Sequence, residues 1–320
     1  MRQVRYHEHG GPEVLRIDEV ERPEPGPGQI LIEVEAIGTN VIDTVFRAGT
    51  GLWQRPLPGT LTGEVVGRVH EIGPGVRAVS VGDRVATLSE EAAADYVVAD
   101  PAWLAPVPAT ADAAEATVLA ALAPLARGLL RAARLDGTET VLVQSAAGGV
   151  GHLLVQLSLI LGAGRVIGTA STEPKRDFVR SLGAEAVDSA DPDWADGVRK
   201  LAPDGVDIVL DSIGGAVFDA GVELLAPLGR MVTYGAIGGT LPTVNALSLF
   251  ALKQVSGFSM LAWRSARPEQ ARADMAEVAD LFAAGRLRSA VHARLPLTQA
   301  KTAHEILDAR ANSGRVALIP

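Results

Sequence analysis

Cysteine is absent from this sequence, and aromatic residues are scarce. The 320 residues include no Cys, and Phe, Trp and Tyr together make up 4% of them. A chain without thiols forms no disulfide, carries no thiolate nucleophile and holds no cysteine-ligated zinc or iron–sulfur centre. Its six histidines are scattered and include no HExxH pattern, the spacing by which a helix presents two zinc ligands. We therefore expect no metal site.

An excess of positive charge and long apolar segments are lacking too. Lys and Arg number 29 against 38 Asp and Glu, so the net charge is −9 and the sequence pI is about 5.2. This balance disfavours nucleic acid and anionic membranes as main partners. No basic region followed by an apolar stretch stands near the N-terminus, and no run of about 18 uncharged apolar residues occurs. We expect a cytoplasmic protein that acts on a small molecule.

What is present begins with a β-rich first third. Residues 29–35 alternate apolar and polar side chains, as in a half-buried strand. Further short apolar segments at residues 65–72 and 84–87 are bounded by Gly73-Pro74-Gly75 and Gly82-Asp83, which favour turns. The pattern predicts a small, irregular β-barrel domain.

From about Asp112 the pattern changes to alternating strands and helices. The segments that predict central strands are residues 141–143, 165–168, 206–210 and 229–234. Helices are predicted between them, for example at residues 152–161 and 175–182, so the strands should form a parallel sheet covered on both faces. A long amphipathic helix is predicted near residues 268–284, and a closing strand at Arg315–Ile319.

A glycine-containing loop follows the first of these strands and precedes an apolar helix. It contains Ala146-Ala147-Gly148-Gly149-Val150-Gly151, with Ala146 where the usual G-x-G-x-x-G motif has its first glycine. Glycines let the backbone approach a pyrophosphate, and the start of the helix attracts its negative charge. The alternative is a plain strand–loop–helix connection. The candidate cofactor-binding residues here are Ala147, Gly148, Gly149, Val150 and Gly151.

The end of the second strand bears on the choice of cofactor. NAD-binding units carry an acidic residue there, about 20 residues beyond the glycines. In this chain Ala170 stands 170 − 151 = 19 residues beyond Gly151, so no carboxylate is at that position, and the following segment provides the hydroxyl of Ser171 and the cations of Lys175 and Arg176. Hydroxyls and cations suit the 2′-phosphate of NADPH, so NADPH is favoured over NADH. We favour Lys175 as the phosphate ligand; a solvated first turn of helix is the alternative for both cations.

Several separate motifs together resemble one family. They are residues 9–15 (HGGPEVL), 36–44 (AIGTNVIDT), 81–85 (VGDRV), 146–151 (AAGGVG) and 304–307 (HEIL). With these motifs in this order, the chain resembles the zinc-free quinone oxidoreductase, or zeta-crystallin-like, branch of the medium-chain dehydrogenase/reductase superfamily over nearly its whole length. Zinc-dependent relatives carry Gly-His-Glu where this chain has Thr62-Gly63-Glu64, so the histidine ligand is absent as well as every cysteine ligand.

The resemblance implies an α/β architecture of two domains and a homodimer. A GroES-like β-barrel catalytic domain would comprise residues 1–123 and 261–320, and a Rossmann domain with a doubly wound parallel sheet would comprise residues 124–260, with the active cleft where they meet. Asn40 would lie beside the nicotinamide, and Lys175 and Arg310 would bind the 2′-phosphate. The residues implied to line the nicotinamide ribose are Tyr234, Gly235 and Ala236.

Three departures from the family pattern leave the substrate open. Pro124 stands where many members have a threonine that touches the nicotinamide, Val45 replaces a cleft aromatic residue, and Ser189 replaces a tyrosine. The leading hypothesis is zinc-independent reduction of a quinone or similar electron-poor carbonyl compound by NADPH. The alternatives are reduction of an enone or enoyl thioester double bond and, in a different class, a catalytically idle NADPH-binding structural or regulatory protein. Asn40 is the one catalytic residue that the sequence identifies, and no acid or base is evident.

Overall fold

The computed structural model describes residues 1–51 and 55–320, which divide into two compact units. The first unit comprises Met1–Ala123 and Met275–Pro320, and the second comprises Pro124–Asp274. The strands are β1 (Arg2–Tyr6), β2 (Leu15–Glu19), β3 (Ile30–Gly38), β4 (Gly59–Thr60), β5 (Gly63–Ile72), β6 (Arg84–Ser89), β7 (Tyr96–Ala99), β8 (Ala105–Pro106), β9 (Thr140–Val143), β10 (Arg165–Ala170), β11 (Glu185–Asp188), β12 (Val206–Asp211), β13 (Leu225–Thr233), β14 (Gln254–Gly257), β15 (Val291–Pro296) and β16 (Arg315–Ile319). The α-helices are α1 (Val41–Ala48), α2 (Ala113–Ala116), α3 (Leu122–Ala132), α4 (Gly151–Ile160), α5 (Glu173–Ser181), α6 (Trp194–Leu201), α7 (Gly215–Leu224), α8 (Met260–Ala266), α9 (Pro268–Ala283) and α10 (Ala300–Asp308).

The first unit is built around a sheet to which both ends of the chain contribute. Its strand order is β15-β16-β3-β5-β6-β8, and β7 also pairs with β3. The last strand, β16, runs antiparallel to β3, with Ala317 opposite Gly38. A smaller sheet has the order β2-β1-β4. Apolar side chains such as Tyr6, Ile32 and Leu318 form the buried core, so the closing strand predicted from the sequence completes the N-terminal domain.

The second unit contains a six-stranded parallel sheet in the order β11-β10-β9-β12-β13-β14. Its central strands are apolar runs that are buried on both faces, as expected where helices cover a parallel sheet. Leu142, Ile167, Val209, Phe218 and Met231 belong to its core. The predicted fold class, a GroES-like barrel with a Rossmann sheet, is confirmed.

The helix α1 was not among the predicted elements. It begins after Asn40 and ends at Gly49, whose φ of 69° provides a left-handed cap. The side chains that α1 buries are Asp43, Thr44 and Arg47, all of them polar. Because helix prediction relies on the spacing of apolar residues, a helix that buries polar groups gives no such signal.

The second unit continues beyond residue 260, where the sequence analysis ends the Rossmann domain. Asp274 accepts hydrogen bonds from Arg131 Nη2 at 2.6 Å and from the indole nitrogen of Trp263 at 3.3 Å. The ring of Phe258 packs against Gly128 and lies 5.8 Å from that of Trp263. These contacts attach α8 and the first part of α9 to α3, which explains the difference of boundary.

One helical stretch, Ala113–Ala132, has the length and composition of a membrane-spanning segment. Its most apolar part is 78% buried inside the protein. Helices of a protein core share this composition, and the burial identifies the stretch as one of them.

Candidate active site

The glycine-containing loop between β9 and α4 is anchored to the end of β10. The amide of Ala146 donates to the carbonyl of Thr169 at 2.9 Å, and that of Ser145 donates to the Thr169 hydroxyl at 3.2 Å. The same hydroxyl donates to Gln144 Oε1 at 2.7 Å. Ser145 adopts a positive φ of 52°, which turns the chain sharply after the strand. The loop is therefore held in place from both its own strand and the neighbouring one.

Glycine is required where this loop meets α4. A Cβ on Gly151 would lie 2.2 Å from the carbonyl oxygen of Ser145, and one on Gly168 would lie 2.5 Å from the Cβ of Ala146. Neither backbone can move away without breaking the bonds to Thr169. The close approach explains why the sequence has glycine at both positions.

The loop offers hydrogen-bond donors to a ligand. Among the described residues, no backbone carbonyl accepts a hydrogen bond from the N–H groups of Ala147, Gly149 and Val150. They lie beside the start of α4, where the helix dipole is positive. Free N–H groups, a positive helix end and closely packed glycines fit a dinucleotide pyrophosphate.

The two cations after β10 have different surroundings. The guanidinium of Arg176 forms ion pairs with Glu173 at 2.5 Å and Asp188 at 2.7 Å. Lys175 is half-buried in the first turn of α5, and Ser171 is exposed just before that helix. The guanidinium of Arg176 is thus engaged by two carboxylates.

Tyr234, Gly235 and Ala236 follow the end of β13, next to the end of β12. The amide of Tyr234 donates to the carbonyl of Asp211 at 2.9 Å. The Asp211 carboxylate accepts from the amides of Ile213 at 3.1 Å and Gly214 at 3.2 Å, and burial raises its pKa. Burial likewise raises the pKa of the Tyr234 hydroxyl.

The candidate cofactor residues of the second unit thus share one edge of the sheet. The glycine-containing loop, the start of α5 and residues 234–236 all follow the carboxyl ends of parallel strands. In open parallel sheets ligands bind at this edge, near the position where the strand order reverses. Here that position lies between β9 and β12, on either side of which the order runs outward.

Asn40, in the first unit, stands at the N-cap of α1 but does not cap it. Its side chain makes no bond to the helix amides, although an N-cap asparagine ordinarily does. Instead Asn40 Nδ2 donates to Glu64 Oε2 at 3.1 Å, and Asn40 Oδ1 accepts from Arg315 Nη1 at 3.0 Å. Arg315 Nη2 closes the ring by donating to Glu64 Oε2.

This ring of side chains fits because residue 38 is a glycine. Glu64 is 0% and Arg315 2% exposed, so the ion pair between them is fully buried. A Cβ on Gly38 would lie 1.5 Å from Arg315 Nη2. Glycine at this position is therefore a condition for placing the guanidinium against Glu64 and Asn40.

Asp43 is a second buried carboxyl group near this ring. One of its oxygens accepts from both the amide and the hydroxyl of Thr62, each at 2.9 Å. Burial raises the pKa of Asp43 to about 7, opposed by those hydrogen bonds and by the charge of Arg55, while Glu64 raises it further. A carboxyl group with such a pKa exchanges protons near neutrality.

The remaining predicted positions are dispersed. Arg310 is exposed in the first unit, just after α10, with a left-handed φ of 49°. Val45 lies on α1, Pro124 is buried in α3, and Ser189 follows β11 and donates its amide to Ala170. The structure thus brings the second-unit candidates together and leaves Asn40 and Arg310 in the other unit.

Glu64, Arg315 and Asp43 were missed as site residues by the sequence analysis. A signal was available, because each is a charged residue within an otherwise apolar or uncharged stretch: GEVVG, RVALI and NVIDT. Charged side chains are seldom fully buried unless they are paired. The residues described here contain no group of three or more His, Asp or Glu side chains placed to hold a metal ion.

Comparison with known proteins decides the family. Residues 26–109 match the alcohol dehydrogenase GroES-like domain, and residues 149–284 match the family described as zinc-binding dehydrogenase. Quinone oxidoreductase 1 of Escherichia coli K12 is 32% identical over 99% of both chains. The chain belongs to the quinone oxidoreductase branch of the medium-chain dehydrogenase/reductase superfamily. It is accordingly an oxidoreductase.

Relatives of this branch include solved structures and enzymes of other specificity. The E. coli quinone oxidoreductase complexed with NADPH superposes with a TM-score of 0.92 at 30% identity, covering 100% of both chains. The mycobacterial protein Rv1454c, also complexed with NADPH, gives a TM-score of 0.91 at 37% identity with the same coverage. The 2-haloacrylate reductase of a Burkholderia species is 32% identical over 98% of this chain and 97% of its own length.

Proposed function

We propose that this protein reduces quinones, or similar electron-poor carbonyl compounds, by hydride transfer from NADPH without a metal ion. The observation that carries the proposal is the full-length similarity to quinone oxidoreductases. The site described above supplies the parts that such a reaction requires: donors for a dinucleotide and an oriented amide for the substrate side.

The cofactor is NADPH, which when bound supplies a hydride from its nicotinamide ring. The loop amides of Ala147, Gly149 and Val150 would hold its pyrophosphate. Lys175 and Arg310 would bind the 2′-phosphate, with Ser171 nearby. Residues 234–236 would border the nicotinamide ribose.

Charge that develops on the substrate oxygen would be met by hydrogen bonds. The amide of Asn40 retains one N–H beyond the one that Glu64 accepts, so it can donate to a developing oxyanion. The chain has no cysteine to ligate zinc, and Glu64 is committed to Arg315 and Asn40. Placement of the donor against the acceptor would supply the rest of the rate enhancement.

We further propose a cytoplasmic homodimer. Five large apolar side chains between residues 241 and 252 are exposed: Leu241, Val244, Leu247, Phe250 and Leu252. They immediately precede β14, an edge strand of the sheet, whose outer backbone groups can pair with another strand. A second copy of this chain would cover both features.

The test is NADPH oxidation by the purified protein with a panel of quinones, enals and enoyl thioesters, each with and without strong chelator. We expect quinones to be reduced fastest and the rates to be unchanged by chelation. Turnover confined to enals or thioesters would replace the proposal by the double-bond reductase, which the 2-haloacrylate reductase relative favours. Tight NADPH binding with no turnover would favour the idle binding protein.

A further inference from the structure

The amide of Asn40 is held at both of its ends by a buried ion pair. Its oxygen accepts from Arg315 Nη1 at 3.0 Å, and its nitrogen donates to Glu64 Oε2 at 3.1 Å. A guanidinium only donates and an ionised carboxylate only accepts. Rotating the amide by half a turn would set its N–H groups against the guanidinium and its oxygen against the carboxylate. The pair therefore selects one of the two amide orientations.

This ion pair is poorly suited to a purely stabilising role. Within the described part of the chain, Glu64 Oε1 and Arg315 Nε are buried and have no hydrogen-bond partner. A buried pair offsets the loss of hydration only when its remaining donors and acceptors are satisfied, and apolar replacements often serve stability as well. The arrangement also prevents Asn40 from capping α1, which costs further stability.

We propose that Glu64 and Arg315 are positioning residues, which orient the amide of Asn40 so that its second N–H is presented to the bound cofactor or substrate. This inference rests on the proposed function for the role of Asn40 in the reaction. Gly38 is required for the same arrangement, because a side chain at this position would displace the guanidinium of Arg315. Asn40 lies between β3 and α1, Glu64 lies on β5 and Arg315 on β16, so in this proposal the C-terminal strand helps to build the active site.

Side-chain NMR tests the orientation without any turnover. The chain has only three asparagines, Asn40, Asn245 and Asn312, so labelling with 15N-asparagine gives three side-chain NH2 signals. The Asn40 signal is assigned by its loss in Asn40→Ala. We expect the chemical shift of this signal to change on addition of NADPH to the wild-type protein. In Glu64→Gln and Arg315→Lys the signal should shift or broaden, since each substitution weakens one of the two hydrogen bonds that hold the amide.

Kinetics test whether the orientation matters for the reaction. For Glu64→Gln and Arg315→Lys we expect kcat to fall roughly tenfold to a hundredfold, because a displaced donor stabilises the transition state poorly. The Kd for NADPH, measured by fluorescence, should stay within about twofold, since neither substitution changes a residue that we propose to bind the phosphates of NADPH. Gly38→Ala should behave like Arg315→Lys.

Matched controls separate positioning from general damage. Glu71→Gln removes a carboxylate from the same strand, β5, where it pairs with Arg22, and Arg84→Lys changes a well-buried arginine that pairs with Glu35 in the same sheet. Both should leave the Asn40 signal and kcat close to wild type. Folded Glu64→Gln protein with an unchanged Asn40 signal and unchanged kcat would overturn the proposal, as would equal losses in the controls.

The outcome remains distinguishable from a failure of the proposed function. If the wild type reduces no quinone, that function is wrong, while the Asn40 signal still reports whether Glu64 and Arg315 orient the amide toward NADPH. If Arg315→Lys does not fold, Glu64→Gln is isosteric and carries the test by itself.

Discussion

At the scale of single residues, the neighbouring cations Lys175 and Arg176 have different roles. Lys175 and Arg176 are adjacent in the first turn of α5, where successive side chains point about 100° apart. Arg176 is bound by Glu173 and Asp188 and connects the helix to the end of β11. Its role is thus structural, whereas the role that we propose for Lys175 is recognition of the 2′-phosphate.

Replacing Lys175 should therefore change the choice of cofactor. In Lys175→Ala, NADPH binding should weaken about tenfold or more, because a charge-assisted bond to phosphate is worth roughly 1.5–3 kcal/mol. NADH binding should hardly change, since NADH lacks that phosphate. Fluorescence titration of both cofactors measures this. Arg176→Ala is the matched variant, and a selective loss of NADPH affinity there instead would show that the wrong cation had been chosen.

Asp43 should make the stability of the protein depend on pH. Burial raises its pKa from 3.8 to about 7, so the folded protein retains a proton that the unfolded chain releases. The resulting stabilisation is complete below about pH 4 and is lost as the pH rises to about 7. Relative to Asp43→Asn, the wild-type free energy of unfolding should fall by up to about 1.4 kcal/mol per pH unit until about pH 7 and then level off.

Urea unfolding of both proteins between pH 6 and 8.5 measures this difference. The amide oxygen of the asparagine in Asp43→Asn can still accept hydrogen bonds from Thr62, but the amide does not titrate. The difference between the two proteins therefore isolates the effect of Asp43 protonation on stability. Parallel stability curves for the two proteins across this range would contradict the raised pKa.

At the scale of elements, the sequence predicted those whose signals are local. Strands β9, β10 and β12 were predicted because they are continuous apolar runs. The glycine-containing loop between β9 and α4 was predicted because its glycines lie close together in the sequence. The edge strands β11 and β14 were missed because they are short and largely half-exposed or exposed. The ring of Asn40, Glu64 and Arg315 joins residues 24 and 251 positions apart. Only the pairing of β16 with β3 and of β3 with β5 brings them together, and local patterns do not reveal that pairing.

Gly151, where the glycine-containing loop meets α4, should tolerate no side chain. In Gly151→Ala the new Cβ would lie 2.2 Å from the carbonyl oxygen of Ser145, so the loop must shift away from Thr169. We expect the affinities for NADPH and NADH to fall together by at least about tenfold, because both carry the pyrophosphate. Circular dichroism checks folding. A loss confined to NADPH, as expected for Lys175→Ala, would contradict this assignment of the loop.

At the scale of the whole molecule, each unit has its own core, but only the first depends on both chain ends. The strand β16 lies between β15 and β3, and Val316 and Leu318 are buried in the core of that unit. Arg315 on the same strand reaches Asn40. The last strand therefore couples the stability of the first unit to the placement of the Asn40 amide. Of the residues that we propose to bind NADPH, Arg310 also belongs to this unit, and the others lie within the second unit.

The proposed dimer should depend on the apolar segment before β14. Phe250 is 78% and Leu252 68% exposed, and burial of such side chains by a second copy favours association by about 25 cal/mol per Å2 of apolar surface. A buried carboxylate there would oppose association, so Phe250→Asp should be a monomer of 33.3 kDa by light scattering, where the wild type has twice that mass. Val81→Asp is the control, because Val81 is 65% exposed but lies in the first unit, and it should remain dimeric. A monomeric wild type would exclude the dimer. A Phe250→Asp protein that stays dimeric at micromolar concentration would show that the interface lies elsewhere. NADPH affinity should be similar in monomer and dimer, because Phe250→Asp changes none of the residues that we propose to bind the cofactor.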